Sequence, residues 1–174
     1  GDANETITAW QMAILLPDKP VALILSRQHV PTLDRSKYAA ADGLRFGGYI
    51  LSDAPGGKPE LILIATGSEV DLIVAAAEKL ETFNIAVRTV SMPSWELFEA
   101  QTQEYRDQVL PPGVSARISV EAGISLGWCR YTGDKGVIIS IDHFGASAPG
   151  PVLLREFGFT AENICERALA LLKK

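Results

Sequence analysis

The residue best suited to ligand chemistry is Arg27, which directly follows the apolar run from Val21 to Ser26. The run predicts a strand buried on both faces, with Arg27 at its carboxyl end, where parallel sheets collect their ligands. A guanidinium presents a rigid fork of N–H donors that matches a phosphate group bidentately. An arginine that leaves the sheet to pair with a carboxylate would fit the same position, so spacing alone leaves both roles open.

A second candidate is the turn Thr66-Gly67-Ser68, which joins a predicted strand to the N-terminus of a predicted helix. Free backbone N–H groups and the helix dipole attract anions at such a place. The motif is neither G-x-G-x-x-G nor a Walker loop, and the neighbouring Glu69 and Asp71 would repel phosphate. We therefore interpret the segment as a plain turn in which Ser68 caps the helix.

The segment Gly145-Ala-Ser147-Ala-Pro149 can be compared with the G-x-S-x-G nucleophile elbow, since it lies between a predicted strand and a predicted helix. Its final glycine is missing, and Pro149 stiffens the backbone where a sharp turn is needed. His143 lies only four positions upstream, which is the wrong chain order for a triad of that kind. The sequence does not support a serine nucleophile.

Several other conspicuous side chains are better explained by structure than by catalysis. Glu121 ends a predicted strand, where a carboxylate that caps nearby amides is commoner than a catalytic acid. His29 could contact the same ligand as Arg27, although a solvated loop histidine fits the position as well. The tryptophans lie among apolar neighbours, which predicts packing in the core or at an interface: Trp10, Trp95 and Trp128.

Composition argues against several kinds of partner. The 174 residues carry 16 Lys and Arg against 21 Asp and Glu, and this charge of −5 is unfavourable for binding nucleic acid or a membrane surface. The two cysteines, Cys129 and Cys165, are far apart, and with two histidines they predict no metal site. A reduced compartment is expected, either the cytoplasm or a plastid stroma.

The order of the elements predicts an α/β fold, with a doubly wound, mostly parallel sheet and helices on both faces, because solidly apolar strands alternate with helices. A short helix-strand remnant precedes this fold. We place a boundary near residue 45, so that residues 1–45 form a tail and linker and residues 46–174 form the α/β domain. Predicted strands are 49–51, 61–66, 85–91, 117–121 and 137–142. The sequence does not begin with Met, and its first residues are typical of the entry to a helix. We therefore expect this chain to be a piece of a longer protein.

A collinear set of segments that covers essentially the whole chain resembles transketolase in order and spacing. The segments are Asp2-Ala-Asn-Glu5, Leu25-Ser-Arg-Gln28, Gly47-Gly-Tyr-Ile-Leu51, Leu63-Ile-Ala-Thr-Gly-Ser-Glu-Val70, Val90-Ser-Met-Pro93, Glu104-Tyr-Arg-Asp-Gln-Val-Leu-Pro111, Ser119-Val-Glu-Ala122, Phe144-Gly-Ala-Ser-Ala-Pro149 and Phe157-Gly-Phe-Thr160. A single segment would be weak evidence, whereas the ordered set is strong.

The resemblance implies that residues 1–45 are the tail of a pyrimidine-binding domain with its linker, and that residues 46–174 are the transketolase C-terminal domain. Transketolases are homodimers that transfer a two-carbon ketol unit between sugar phosphates in the pentose phosphate pathway and Calvin cycle, with thiamine diphosphate and Mg. The family's Gly-Asp-Gly motif, catalytic histidines and cofactor-activating glutamate lie outside this sequence. No catalytic, cofactor or metal residue is therefore assigned, and the isolated chain is expected to be inactive and to serve packing and dimerisation.

One substrate-binding residue carries over from the resemblance. The arginine of Ser26-Arg27-Gln28 looks like the family's arginine that grips the terminal phosphate of the sugar phosphate. The resemblance also implies that the C-terminal domain packs near the subunit interface, which is consistent with the aromatic content of residues 128–131.

Two alternatives remain open from the sequence. The C-terminal domain could be a regulatory module that binds an anion or nucleotide at Gly67-Ser68. The chain could also be the equivalent domain of another thiamine enzyme, a deoxyxylulose-phosphate synthase or a 2-oxoacid dehydrogenase β subunit. The segments Leu25-Ser-Arg-Gln28 and Phe144-Gly-Ala-Ser-Ala-Pro149 favour transketolase over both enzymes.

Overall fold

The strands form one mixed sheet in a computed structural model that describes residues 1–173. Within those residues the strands are β1 (Tyr49–Ser52), β2 (Leu61–Ala65), β3 (Val87–Ser91), β4 (Arg117–Val120) and β5 (Val137–Ile139). Their order across the sheet is β1-β3-β2-β4-β5. Strands β3, β2, β4 and β5 are parallel, and β1 runs antiparallel to β3 at one edge. The predicted α/β class with a mostly parallel sheet is confirmed.

Helices follow most of the strands and cover both faces of the sheet. They are α1 (Ala3–Leu15), α2 (Val70–Glu81), α3 (Trp95–Glu99), α4 (Gln103–Val109), α5 (Cys129–Thr132), α6 (Gly150–Glu156) and α7 (Ala161–Leu172). Side chains at the N-cap positions explain several starts, because Ser94, Thr102 and Thr160 each accept a backbone N–H from three residues further on. Within residues 1–173, no helix has both the length and the apolar character needed to cross a membrane.

Strand β2 separates two hydrophobic cores, because its side chains point alternately to the two faces. On one face, Leu61, Leu63 and Ala65 pack with α2 and α7. On the other face, Ile62 and Ile64 pack with α3, α4 and α5. All five residues of β2 are 0% exposed, as expected for a parallel strand covered on both sides.

The structure corrects one predicted strand. Residues 21–26 form no strand, and Ile24 and Leu25 are exposed by 94% and 58%. A strand needs a neighbouring strand to accept and donate its backbone hydrogen bonds, and nothing else within residues 1–173 pairs with this segment. The helix of the predicted remnant is present as α1 and ends at Leu15, two residues before Pro17.

Smaller corrections concern element ends. The predicted helical cap at Ser68 is wrong, because Gly67–Glu69 form a 3₁₀ turn and Glu69 stands at the N-cap of α2 without a side-chain cap. The last strand ends at Ile139 rather than Asp142.

Two buried carboxylates, here called the carboxylate clasp (Asp2 and Glu5), attach α1 and the linker to the sheet. Asp2 is 2% exposed, caps α1 by accepting the Glu5 amide at 2.8 Å, and accepts the Leu33 amide at 3.1 Å. The Arg35 guanidinium lies 2.8 Å from the same carboxylate. Burial alone would raise the pKa of Asp2, but the two amides and Arg35 outweigh it and lower that pKa below its ordinary value of 3.8.

Glu5 provides the second half of the carboxylate clasp. One of its oxygens accepts the hydroxyl of Tyr49 in β1 at 2.7 Å and the hydroxyl of Ser91 in β3 at 2.6 Å. Burial, together with the adjacent Glu5 carboxylate, raises the pKa of Tyr49 well above its usual range, so the phenol stays protonated and remains a donor. The clasp therefore fixes α1 and Leu33, the two ends of the stretch that contains Arg27.

The opposite side of α1 is exposed and apolar. Ile7, Trp10, Ile14 and Leu15 are exposed by 58%, 57%, 77% and 61%. With Ile24 and Leu25 they place large apolar side chains in water on the N-terminal part of the chain.

We predict that Gly47→Ala destabilises the fold by more than about 3 kcal/mol, whereas Gly56→Ala costs about 1 kcal/mol. Both glycines have positive φ, at 81° and 67°, so both variants share the backbone strain. A Cβ at Gly47 would also overlap the Phe98 nitrogen and the Ser94 carbonyl oxygen, while a Cβ at Gly56 meets nothing within 4 Å. Denaturant unfolding of both variants measures the difference, and equal losses would contradict the packing argument.

We predict that Asp2→Asn lowers the free energy of unfolding by about 1–3 kcal/mol at pH 7, because a charged acceptor is removed from Arg35. The folded-state pKa of Asp2 lies below its unfolded value, so its contribution is complete above about pH 5 and is lost as pH falls through the folded pKa. The gap between wild type and variant should therefore close at low pH in urea titrations. Asp42→Asn is the control, because Asp42 is 73% exposed and should change stability little. A gap that does not depend on pH would contradict the assignment.

Candidate functional site

The carboxyl ends of the parallel strands meet at one edge of the sheet, where ligands bind in doubly wound folds. The turn Thr66–Glu69 follows β2, Met92 and Pro93 follow β3, and Glu121 follows β4. We call this region the carboxyl edge. It is the part of the described structure in which a site of this fold type is expected.

The turn after β2 is acidic rather than anion-binding. Gly67 has a φ of 60°, which lets the chain reverse direction directly into the 3₁₀ turn. Glu69 is 5% exposed, and burial, followed by repulsion from Glu121, raises its pKa despite the favourable Ser68 hydroxyl and Ala122 amide. A buried carboxylate beside Gly67 and Ser68 disfavours phosphate there, so the anion- or nucleotide-binding alternative is not favoured.

Glu121 has a structural partner. Its carboxylate accepts the indole N–H of Trp128 at 2.6 Å, and its backbone N–H donates to the Ile139 carbonyl at 3.1 Å. The sequence predicted a carboxylate that caps backbone amides, whereas the observed partner is an indole N–H. This bond explains how Trp128 can be 1% exposed without leaving its N–H unpaired.

The aromatic residues near Trp128 belong to the interior of this chain. Trp128 and Tyr131 are 1% and 2% exposed, and the ring of Trp95 lies edge-on to Trp128 with centroids 5.1 Å apart. Packing is therefore confirmed for Trp95 and Trp128. Trp128 and Tyr131 thus belong to the core, while Cys129 and Arg130 are exposed, and the interface role of residues 128–131 stays a prediction.

Arg27 is exposed and lies in residues 16–31, which form no helix or strand. Among the described residues its guanidinium makes no hydrogen bond or ion pair, so the alternative of a carboxylate-paired arginine is not what the structure shows. The next residue, Gln28, donates from Nε2 to the Ser68 hydroxyl oxygen at 2.9 Å. Arg27 is thus next to a residue that contacts the carboxyl edge. His29 is exposed as well.

The segment Gly145–Pro149 is not a nucleophile elbow. Strand β5 ends at Ile139 and α6 begins at Gly150, so Ser147 lies in an exposed loop and not in a sharp strand-to-helix turn. His143 uses Nδ1 for the Phe144 carbonyl at 2.8 Å, and its ring packs edge-on against Phe157. This geometry provides no activated serine.

Cofactor and metal ligands do not converge in the part of the chain that the structure describes. Within residues 1–173, no group of three or more His, Cys, Asp or Glu side chains is arranged to hold a metal ion. Cys129 is exposed and Cys165 is buried, and neither forms a disulfide. Residues 1–173 therefore offer no set of three such side chains for the Mg²⁺ that accompanies thiamine diphosphate in this resemblance.

Comparison with known proteins identifies the family. Residues 47–160 match the family described as "Transketolase-like TK C-terminal domain". The chain is 53% identical over 173 residues to a transketolase of Geobacillus stearothermophilus, covering 99% of this chain and 26% of that protein.

Solved structures agree with the sequence comparison. Transketolase from Leishmania mexicana superposes with a TM-score of 0.90 at 40% identity, covering 99% of this chain and 24% of that one. A Pichia stipitis transketolase in complex with sedoheptulose-7-phosphate gives 0.88 at 36% identity, with the same coverage of 99% and 24%. The chain thus spans about a quarter of the length of the relatives it matches. It belongs to the transketolase family and carries that family's C-terminal domain.

Proposed function

We propose that this chain works as the C-terminal part of an enzyme that transfers a two-carbon ketol unit between sugar phosphates, with thiamine diphosphate and Mg. The family match over residues 47–160 supports this proposal most directly. The Pichia stipitis relative, which was solved with sedoheptulose-7-phosphate, supports a phosphorylated sugar as substrate. The cofactor ligands are assigned to the rest of such an enzyme, as the family resemblance implies.

The proposed role of this chain in the reaction is substrate binding through Arg27. Its guanidinium is exposed and makes no contact that a phosphate would have to displace among residues 1–173. A phosphate contact lies away from the reacting carbons, so its binding energy serves to orient the substrate. The remaining proposed roles are the packing of residues 46–174 as a separate domain and support of a homodimer in the cytoplasm.

We predict that Arg27→Ala in the full-length enzyme lowers kcat/KM for a ketose phosphate roughly ten- to a hundredfold, mainly through KM, because one charged hydrogen-bonding group is lost. Steady-state kinetics with an unphosphorylated ketose should show little change. Arg45→Ala is the matched control, since Arg45 is also exposed but reaches only Asp42 and Gln11. An unchanged KM for the phosphorylated substrate in Arg27→Ala would remove the assignment.

We also predict that the 174-residue chain alone does not turn over a ketose phosphate when thiamine diphosphate and Mg²⁺ are supplied. The physical reason is that the proposal places the reactive groups and cofactor ligands in the rest of the enzyme. A coupled assay for the released aldose phosphate is the measurement, with an intact transketolase as the positive control. Robust turnover would show that the catalytic machinery lies within this chain.

A further inference from the structure

The stretch from Leu16 to Pro31 carries Arg27 but has no helix or strand of its own. It is held at its ends by the carboxylate clasp, because Glu5 fixes α1 and Asp2 fixes Leu33. Between those ends, the described side-chain hydrogen bond to the rest of the chain is the one from Gln28 to Ser68. The Gln28–Ser68 bond therefore fixes the residue next to Arg27 relative to the carboxyl edge.

We propose that Gln28 and Ser68 are positioning residues that hold Arg27 at the carboxyl edge through a relay to Glu69. This inference rests on the proposed phosphate-binding role of Arg27. The relay is short: Gln28 Nε2 lies 2.9 Å from Ser68 Oγ, and Ser68 Oγ lies 2.9 Å from Glu69 Oε1.

The direction of each hydrogen bond follows from the donors available. A serine hydroxyl has one proton and two lone pairs, and Glu69 accepts that proton. The Ser68 oxygen is then free to accept from the Gln28 amide, which has two N–H donors. The carboxylate thus fixes the hydroxyl rotor in the orientation that receives Gln28.

Glu69 is a rigid anchor for this relay. It is 5% exposed and lies beside the Ala122 amide, in the loop that follows β4. The Ser68 hydroxyl is not used to cap α2, whose N-cap position has no side-chain hydrogen bond. The Ser68 hydroxyl instead bonds to Gln28 and to Glu69, so it links the segment that carries Arg27 to a buried residue of the carboxyl edge.

The tether should act on substrate affinity and not on the chemical step, because it sets the position of Arg27 and contacts no reacting group. One neutral hydrogen bond of ordinary net strength changes an equilibrium about two- to tenfold. We expect a KM effect of that size, smaller than the effect of removing Arg27 itself.

The test uses Ser68→Ala, Gln28→Ala and the double variant in the full-length enzyme. Each single variant should raise KM for a ketose phosphate about two- to tenfold, with kcat and the KM for an unphosphorylated ketose unchanged. The double variant should be no worse than the worse single variant, because both remove the same bond. Ser68→Thr keeps the hydroxyl and should restore KM. Ser115→Ala is the control, as an exposed serine in a loop before β4.

Hydrogen exchange of the peptide that contains Arg27 provides a second readout in the same proteins. Faster exchange in Ser68→Ala and Gln28→Ala, with the KM effect, supports the tether. Unchanged exchange, unchanged KM or fully additive effects would each overturn it. If Arg27→Ala leaves KM unchanged while Ser68→Ala still speeds exchange, the tether holds the stretch and the phosphate-binding role of Arg27 is what fails.

Discussion

Strand β2 depends on complete burial, and the other elements are arranged to provide it. Its five residues are 0% exposed, so their backbone N–H and C=O groups must pair with strands on both sides, which β3 and β4 supply. Its alternating side chains need cover on both faces, which the two hydrophobic cores supply. Parallel pairing then brings the ends of β2, β3 and β4 to the same edge, so the acidic turns after β2 and β4 become neighbours.

Four carboxylates of this chain meet dedicated hydrogen-bond donors within the fold. Asp2, Glu5 and Glu69 each meet amide or hydroxyl donors within the fold, and Glu121 meets an indole N–H. Such partners offset the cost of removing a charge from water. Arg27, by contrast, is exposed and lies in residues 16–31. The carboxylates that hold the fold together are thus separate from the proposed ligand-binding group.

The features predictable from sequence are those set by local pattern. The apolar run over residues 61–66 identified β2, and the run over residues 117–121 identified β4. The strand predicted at residues 21–26 failed because hydrogen-bonded neighbours, not apolar composition, decide whether a run becomes a strand. The hydrogen bond between Gln28 and Ser68 joins residues 40 positions apart, and local sequence patterns do not predict a contact of that range. The partner of Glu121 was missed for a related reason, since only the folded loop brings Trp128 against it.

The apolar side of α1 has a consequence for how the 174-residue chain behaves in water. Ile7, Trp10, Ile14 and Leu15, with Ile24 and Leu25, leave large apolar side chains in contact with solvent. Apolar surface of this kind favours self-association, so we expect the solubility of the chain to fall as its concentration rises.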